Sequence, residues 1–144
     1  MRAVSYFNFA NSVEALKFYQ ELGAQKIEVT YASDEMFSDK DTEIAKQLAN
    51  RPKFVMNASF ELLDQRFYCS DTESGQAVNN QGVNVVFDVN VNNDSEVQAA
   101  KDFFEKAQAA GCQIRIPLGP QPWTPLFGMI QDKYGIDWMI SGVY

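Results

Sequence analysis

The order of the predicted secondary-structure elements repeats once along the chain, and this repeat most constrains the fold. Alternating apolar residues predict strands, whereas apolar residues spaced three and four apart predict helices. Both halves read strand, helix, strand, strand, strand. An aromatic pair, a glycine and an isoleucine recur in that order, at Phe18-Tyr19, Gly23 and Ile27 and again at Phe103-Phe104, Gly111 and Ile114. We therefore predict one domain over residues 1–144, made of two βαβββ modules at about 1–74 and 82–144.

Local signals predict where the two main helices begin. Asn11 stands three residues before Glu14, which predicts the N-cap of the first helix. Ser95 stands three residues before Gln98, which predicts a capping box for the second helix. A glycine follows each helical stretch and predicts its end.

Three further segments carry distinct signals. Residues 33–53 are polar and are predicted to leave the repeat, with a short helix from about Thr42 to Leu48. Residues 71–81 are polar and predict the linker between the modules. Four prolines between Pro117 and Pro125 predict a rigid, non-helical segment after a strand from Gln113 to Pro117.

The composition excludes several classes of function. Twelve Lys and Arg against nineteen Asp and Glu give a net charge of −7, and the cations do not cluster, so we expect neither a nucleic-acid nor a membrane partner. The chain has no histidine, which excludes Ser-His-Asp and Cys-His catalysis and His-based zinc or iron sites. Without an export signal or a membrane-spanning run, we expect a cytoplasmic protein in which Cys69 and Cys112 are reduced structural thiols.

Six segments that together cover nearly the whole chain carry a resemblance to a known family. They are YFNF at 6–9, EALKFYQELGA at 14–24, KFVMNASF at 53–60, YCSD at 68–71, FFEKAQAAGCQIRIPL at 103–118 and PWTPLFGMIQDKYGIDWMI at 122–140. The chain resembles the vicinal oxygen chelate superfamily (the glyoxalase, bleomycin-resistance and dioxygenase fold), and within it the PhnB-like, 3-demethylubiquinone methyltransferase-like branch. The resemblance implies an α+β fold, in which two βαβββ modules form curved mixed sheets around a cleft, and a homodimer.

The resemblance also implies where a divalent metal would be held. Related enzymes use His and Glu at four inward strand positions. Three of these positions correspond to Val4, Asn84 and Met139, and the fourth falls between Phe67 and Cys69. A histidine common in this branch corresponds to Asn57. None of these residues is an imidazole or a carboxylate, so we predict no metal. We also predict no other cofactor, because the chain lacks a glycine-rich strand-to-helix loop that would cradle a nucleotide.

These expectations lead to the hypothesis of a metal-free protein that binds a small apolar or aromatic molecule in the cleft between the modules. The expected lining consists of aromatic, amide and apolar residues: Tyr6, Asn8, Asn57, Phe67, Asn84, Val86, Trp123, Phe127 and Met139. Two alternatives stay open. An enzyme would use other metal ligands, acid/base chemistry of Asp88 or Glu61, or a Cys69 nucleophile. A filled cleft would leave a structural or regulatory dimer.

Overall fold

Each half of the chain forms one four-stranded mixed sheet and one long helix. The computed structural model describes residues 1–34 and 43–144. The elements of the first half are β1 (Tyr6–Phe9), α1 (Ser12–Glu21), β2 (Gln25–Tyr31), α2 (Glu43–Leu48), β3 (Val55–Leu62) and β4 (Gln65–Asp71). Those of the second half are β5 (Asn84–Asn90), α3 (Asp94–Ala109), β6 (Gln113–Gln121), β7 (Thr124–Gln131) and β8 (Asp137–Val143). Of the predicted short helix, Thr42 lies outside the described residues.

The two sheets have the same strand order. The first runs β1-β4-β3-β2 and the second runs β5-β8-β7-β6. In each sheet the first strand of the half, β1 or β5, pairs in parallel with the last strand, β4 or β8. The other pairs are antiparallel. The predicted α+β fold with two βαβββ modules is therefore confirmed.

The chain divides into two compact units that follow the sheets with one exception. The first unit consists of Met1–Lys17 and Ala24–Val78, and the second of Phe18–Gly23 and Asn79–Tyr144. The last part of α1 is thus grouped with the second sheet. Side-chain contacts agree with this grouping, since the Tyr19 ring lies 5.8 Å from the Trp138 ring, edge to face.

In the first unit, alternation along the strands separates a packed face from an open face. Phe67 stacks on Phe7 at 5.8 Å and on Phe60 at 5.4 Å between ring centroids. Cys69, next on that face, is fully buried. The other side of the sheet is the open face of the first sheet, which carries Tyr6, Asn8, Asn57, Ser59, Glu61, Arg66, Tyr68 and Ser70.

In the second unit, α3 covers the packed face of the sheet. The Phe87 ring lies 6.0 Å from Phe103 of the helix and stacks on Trp138 at 5.9 Å. Gly128 leaves room for this packing, because a Cβ atom there would lie 2.5 Å from the Phe104 ring. A larger residue at this position would push α3 away from the sheet.

Both long helices begin at an asparagine N-cap with a glutamate three residues further on. Asn11 accepts a hydrogen bond from the Glu14 amide at 3.1 Å, so the predicted N-cap of α1 is confirmed. The predicted cap of α3 is wrong by two residues, because Asn93 rather than Ser95 is the N-cap. Asn93 Nδ2 donates to Glu96 at 3.0 Å, so the reciprocal pair that fixes the helix start is Asn93 and Glu96.

One predicted strand end also differs from the structure. β6 continues through Pro117 and Pro120 to Gln121, with several register irregularities against β7. Within residues 1–34 and 43–144, β6 pairs with no strand but β7, and an edge strand tolerates proline because its outer side needs no hydrogen-bond donors.

Candidate functional site

The open face of the second sheet carries an apolar row that crosses all four strands. Val86 pairs with Met139, Met139 pairs with Met129, and Met129 pairs with Ile116. These four residues are the apolar row. Val86 is 48% exposed, and the other three are partly exposed. Methionine adapts its shape to a ligand, so a row of this kind can accept a flat apolar molecule.

Two aromatic residues lie beside the apolar row. Phe127 occupies the next row of the same face, where it pairs with Ser141 and Gly119. Trp123 lies in the two-residue turn between β6 and β7, 68% exposed, with its ring 5.6 Å from Phe127 in an edge-on contact. An exposed tryptophan that contacts Phe127, one row away from partly exposed apolar side chains, is typical of a surface that receives a partner molecule.

A polar row lies on the other side of the apolar row. It consists of Asn84, Asp137, Gln131 and Gln113, which also pair in register. In the amide orientation that matches donors to acceptors, Asn84 donates to Asp137 Oδ2 at 3.3 Å. Arg115 forms an ion pair with Asp137 Oδ1 at 3.6 Å, which is longer than a hydrogen bond.

The open face of the first sheet is polar instead. Tyr6 and Tyr68 pair in register with their rings 6.4 Å apart, and Ser70 donates to Asn8 Oδ1 at 3.2 Å. Asn57 pairs with Thr30 and is exposed. Tyrosine hydroxyl groups and amides dominate this surface, so its contacts with a ligand would be mainly hydrogen bonds.

Eight of the nine predicted binding residues lie on strands of an open face or, for Trp123, in the turn beside it, and they fall into two groups. The first sheet carries Tyr6, Asn8 and Asn57, and the second carries Asn84, Val86, Phe127 and Met139, with Trp123 next to them. The exception is Phe67, whose predicted inward position is wrong: it is 4% exposed between Phe7 and Phe60 on the packed face. Strand parity decides this, because Tyr68 rather than Phe67 shares the face of Tyr6.

The three candidate catalytic residues lie in unlike settings. Hydrogen bonds from Lys26 at 2.7 Å and Arg66 at 3.1 Å lower the pKa of Glu61, so this carboxylate is poorly suited to act as an acid. Burial raises the pKa of Cys69 to about 12, which leaves almost no nucleophilic thiolate at neutral pH. Asp88 is exposed on the open face of the second sheet, opposite Ser141. Cys69 and Cys112 are both buried and form no disulfide.

The positions that hold a metal in related enzymes do not fit one in this chain. Val4 precedes β1, Asn84 is the first residue of β5, and Met139 belongs to the apolar row. Within residues 1–34 and 43–144, no three His, Cys, Asp or Glu side chains form a group that could hold a metal ion. A divalent cation needs several charged or imidazole ligands. These three positions supply one amide and one thioether, and the fourth position, between Phe67 and Cys69, offers neither a carboxylate nor an imidazole.

A buried carboxylate that the sequence did not single out organises the second unit. Asp132 Oδ2 accepts hydrogen bonds from the Tyr19 hydroxyl at 2.6 Å and the Trp138 indole at 2.8 Å. Oδ1 accepts from the amides of Tyr134 and Ile136. Burial raises the pKa of Asp132, and the bonds from Trp138 and Tyr19 oppose this rise. The DKYG turn was the available signal, since Asp favours turns of this kind.

A shallow groove of about 250 Å³ lies elsewhere in the second unit, between α3 and β6. Its walls include Phe104, Ile114 and Leu118, and none of the predicted site residues lines it.

None of the helices in residues 1–34 and 43–144 is long and apolar enough to cross a membrane.

A family model identifies the family of the chain, and solved structures share its fold. The family model described as 3-demethylubiquinone-9 3-methyltransferase matches residues 3–141. Protein PA1353 from Pseudomonas aeruginosa is 24% identical, with a TM-score of 0.66, and the match covers 99% of this chain and 97% of that one. A PhnB protein from Bacillus cereus is 22% identical, with a TM-score of 0.60 over 99% of this chain and 100% of that one.

More distant structures share the fold as well. The fosfomycin resistance protein FosX from Listeria monocytogenes is 10% identical, with a TM-score of 0.61 over 100% of this chain and 93% of that one. None of the curated proteins matches the chain significantly.

Proposed function

Because the chain belongs to the 3-demethylubiquinone-9 3-methyltransferase family, a PhnB-like branch of the vicinal oxygen chelate superfamily, we propose that it binds a small apolar or aromatic molecule without a metal. The observation that carries the proposal is the apolar row of the second sheet, with Phe127 and Trp123 beside it. A homodimer in the cytoplasm is part of the same proposal.

Exposure of the row is the energetic argument for a ligand. Val86 is 48% exposed and Trp123 is 68% exposed, although both are large and apolar. Covering such side chains stabilises a complex by about 25 cal/mol for each Å² of apolar surface removed from water. A flat molecule that covers Val86 and Met139 gains this free energy without any charged partner.

Neither methyl transfer nor acid/base catalysis gains support from the geometry. The connections from β1 to α1 and from β5 to α3 contain no glycine, so they cannot form the loop that holds a nucleotide-derived cofactor. Glu61 and Cys69 have pKa values shifted away from what an acid or a nucleophile needs. A binding role is therefore the function that the site supports best.

The test measures binding of 1-methylnaphthalene by ligand-observed NMR and calorimetry. We expect Val86→Gln and Trp123→Ala each to weaken binding by about five- to thirtyfold, which corresponds to the burial of one apolar side chain against the ligand. The matched control is Val78→Gln, because Val78 is an exposed valine (40%) outside the sheets. The proposal fails if the wild type does not bind the probe or if Val86→Gln binds it as well as Val78→Gln does.

A further inference from the structure

We infer that the ligand carries a protonated amine, which pairs with Asp137 at the border of the apolar row. This inference rests on the proposed function and adds the chemical class of the ligand. It comes from one unsatisfied carboxylate oxygen, its weak protein partner and the charge of the surrounding surface.

Asp137 has an oxygen without a hydrogen bond. Its Oδ1 atom is shielded from solvent and accepts no hydrogen bond from any residue that the structure describes. Its Oδ2 atom has Asn84 as a donor. A shielded carboxylate oxygen without a donor costs free energy, which a donor from a bound molecule would recover.

The position of Asp137 connects it to the proposed ligand surface. Asp137 and Met139 are two apart in β8, so their side chains lie on the same face. Asp137 pairs with Asn84 and Gln131, just as Met139 pairs with Val86 and Met129 in the next row. A molecule that covers the apolar row therefore has its edge about 7 Å or less from this carboxyl group, the spacing of alternate residues in a strand.

Arg115 is a weak partner for this carboxylate. Its Nε lies 3.6 Å from Oδ1, and its side chain is 42% exposed, compared with 17% for Asp137. Long ion pairs of partly exposed side chains contribute little, so a ligand amine can take the place of Arg115. An ammonium group at hydrogen-bond distance forms the shorter, charge-assisted bond that Arg115 does not make.

The charge of the surface also favours a cation. Asp88 lies beyond the apolar row on β5, so acidic residues stand on both sides of Val86 and Met139. Arg115 is paired with a carboxylate of this face, and the whole chain carries a net charge of −7. An anionic ligand would meet two carboxylates, whereas an amine is attracted to both.

The experiment compares four probes that share one ring system and differ in the attached group. They are 1-naphthylmethylamine, 1-naphthylmethanol, 1-methylnaphthalene and the anion 1-naphthaleneacetate. Each is titrated calorimetrically at two salt concentrations. We expect the amine to bind about tenfold or more tightly than 1-methylnaphthalene, as a charge-assisted hydrogen bond predicts. The acetate should bind most weakly, and added salt should reduce the advantage of the amine.

Two substitutions should change the preference for the amine in opposite directions. Asp137→Asn should reduce it to threefold or less, with little effect on 1-methylnaphthalene. Arg115→Gln should increase it, because the carboxylate loses its competing cation. Asp64→Asn serves as the control, since Asp64 is an exposed acid in the turn between β3 and β4. If Asp137→Asn does not fold, Arg115→Gln still tests the inference.

The outcomes separate this inference from the proposed function. If 1-methylnaphthalene binds through Val86 but the amine has no advantage, or if Arg115→Gln leaves the preference unchanged, the amine assignment is wrong and the binding role stands. If the alcohol binds as tightly as the amine, a neutral donor suffices and the cationic class is again wrong. If 1-methylnaphthalene does not bind, the proposed function itself fails.

Discussion

The two sheets share one topology but differ in the chemistry of their open faces. On the first sheet, hydroxyl groups, amides and the Glu61 ion pairs with Lys26 and Arg66 cover the face. On the second, an apolar row with Val86 at its edge crosses all four strands. The packed faces are alike, with stacked aromatic rings in both units. Keeping this fold thus requires only the packed face and the turns, which leaves the open face free to acquire its own specificity.

The largest expected effect tests the division between packed and open faces. Phe67→Ala should lower the free energy of unfolding by about 3–5 kcal/mol, because it opens a cavity between stacked rings. Tyr6→Ala, on the open face of the same sheet, should cost under about 1 kcal/mol. Urea unfolding measures both. Equal losses in the free energy of unfolding would mean that the packed face and the open face contribute equally to stability.

The second prediction compares two carboxylates, Asp71 of the first unit and Asp132 of the second, that accept hydrogen bonds from other elements of their own unit. Asp132→Ala leaves four donors without an acceptor and should cost about 3–5 kcal/mol. Among the residues that the structure describes, Asp71 accepts from two backbone amides, those of Ser12 at 2.7 Å and Val55 at 2.9 Å, so Asp71→Ala should cost about 1–2 kcal/mol. Thermal and urea unfolding of the two variants decide the order. A larger loss for Asp71→Ala would contradict it.

The smallest expected effect is on the pH dependence of stability, to which Asp132 and Glu61 contribute in opposite directions. Because the pKa of Asp132 is raised in the folded state, that state binds the carboxyl proton more tightly than the unfolded state does. The resulting contribution of Asp132 to stability is complete below the unfolded pKa near 3.8 and is lost as pH rises through the folded pKa. The lowered pKa of Glu61 stabilises the fold above the unfolded value near 4.5, and this contribution is lost as pH falls through the folded pKa. Asp132→Asn and Glu61→Gln should therefore change the slope of stability against pH in opposite directions.

Unfolding measured from pH 3 to pH 7 checks this third comparison. Wild type and both variants are compared with Asp64→Asn, whose carboxyl group is exposed in a turn. Changes of slope in the same direction for Asp132→Asn and Glu61→Gln would show that the two carboxylates do not differ as described.

Much of the fold could be predicted because it depends on local patterns. Alternation along β5 separates Phe87 from Val86, and the structure keeps that division. Asn11 is recognisable as a cap because capping needs residues only three apart. The cap of α3 was misplaced, since Asn93, Ser95 and their partners offer two overlapping signals and only the folded helix selects one.

The candidate site was less predictable, because it depends on which residues lie next to each other across strands. Alternation alone could not decide whether Phe67 or Tyr68 shares the face of Tyr6; the register of β1 against β4 decides it. Two members of the apolar row, Met129 and Ile116, are not predicted for the same reason, since they become neighbours only through a register irregularity between β6 and β7. Asp132 has the sequence context of an ordinary turn residue, and only the fold brings Tyr19, 113 positions away, to donate to it.

The sequence by itself determined the repeated element order, the family and the lack of histidine chemistry, because each follows from residue types and short spacings. Only the tertiary structure decided which side chains meet on the second sheet. Strand register brings Val86 beside Met139 and Asn84 beside Asp137, and it leaves one oxygen of Asp137 without a donor among the described residues. Contacts between distant parts of a chain depend on pairing and packing of whole elements, and no local pattern encodes them.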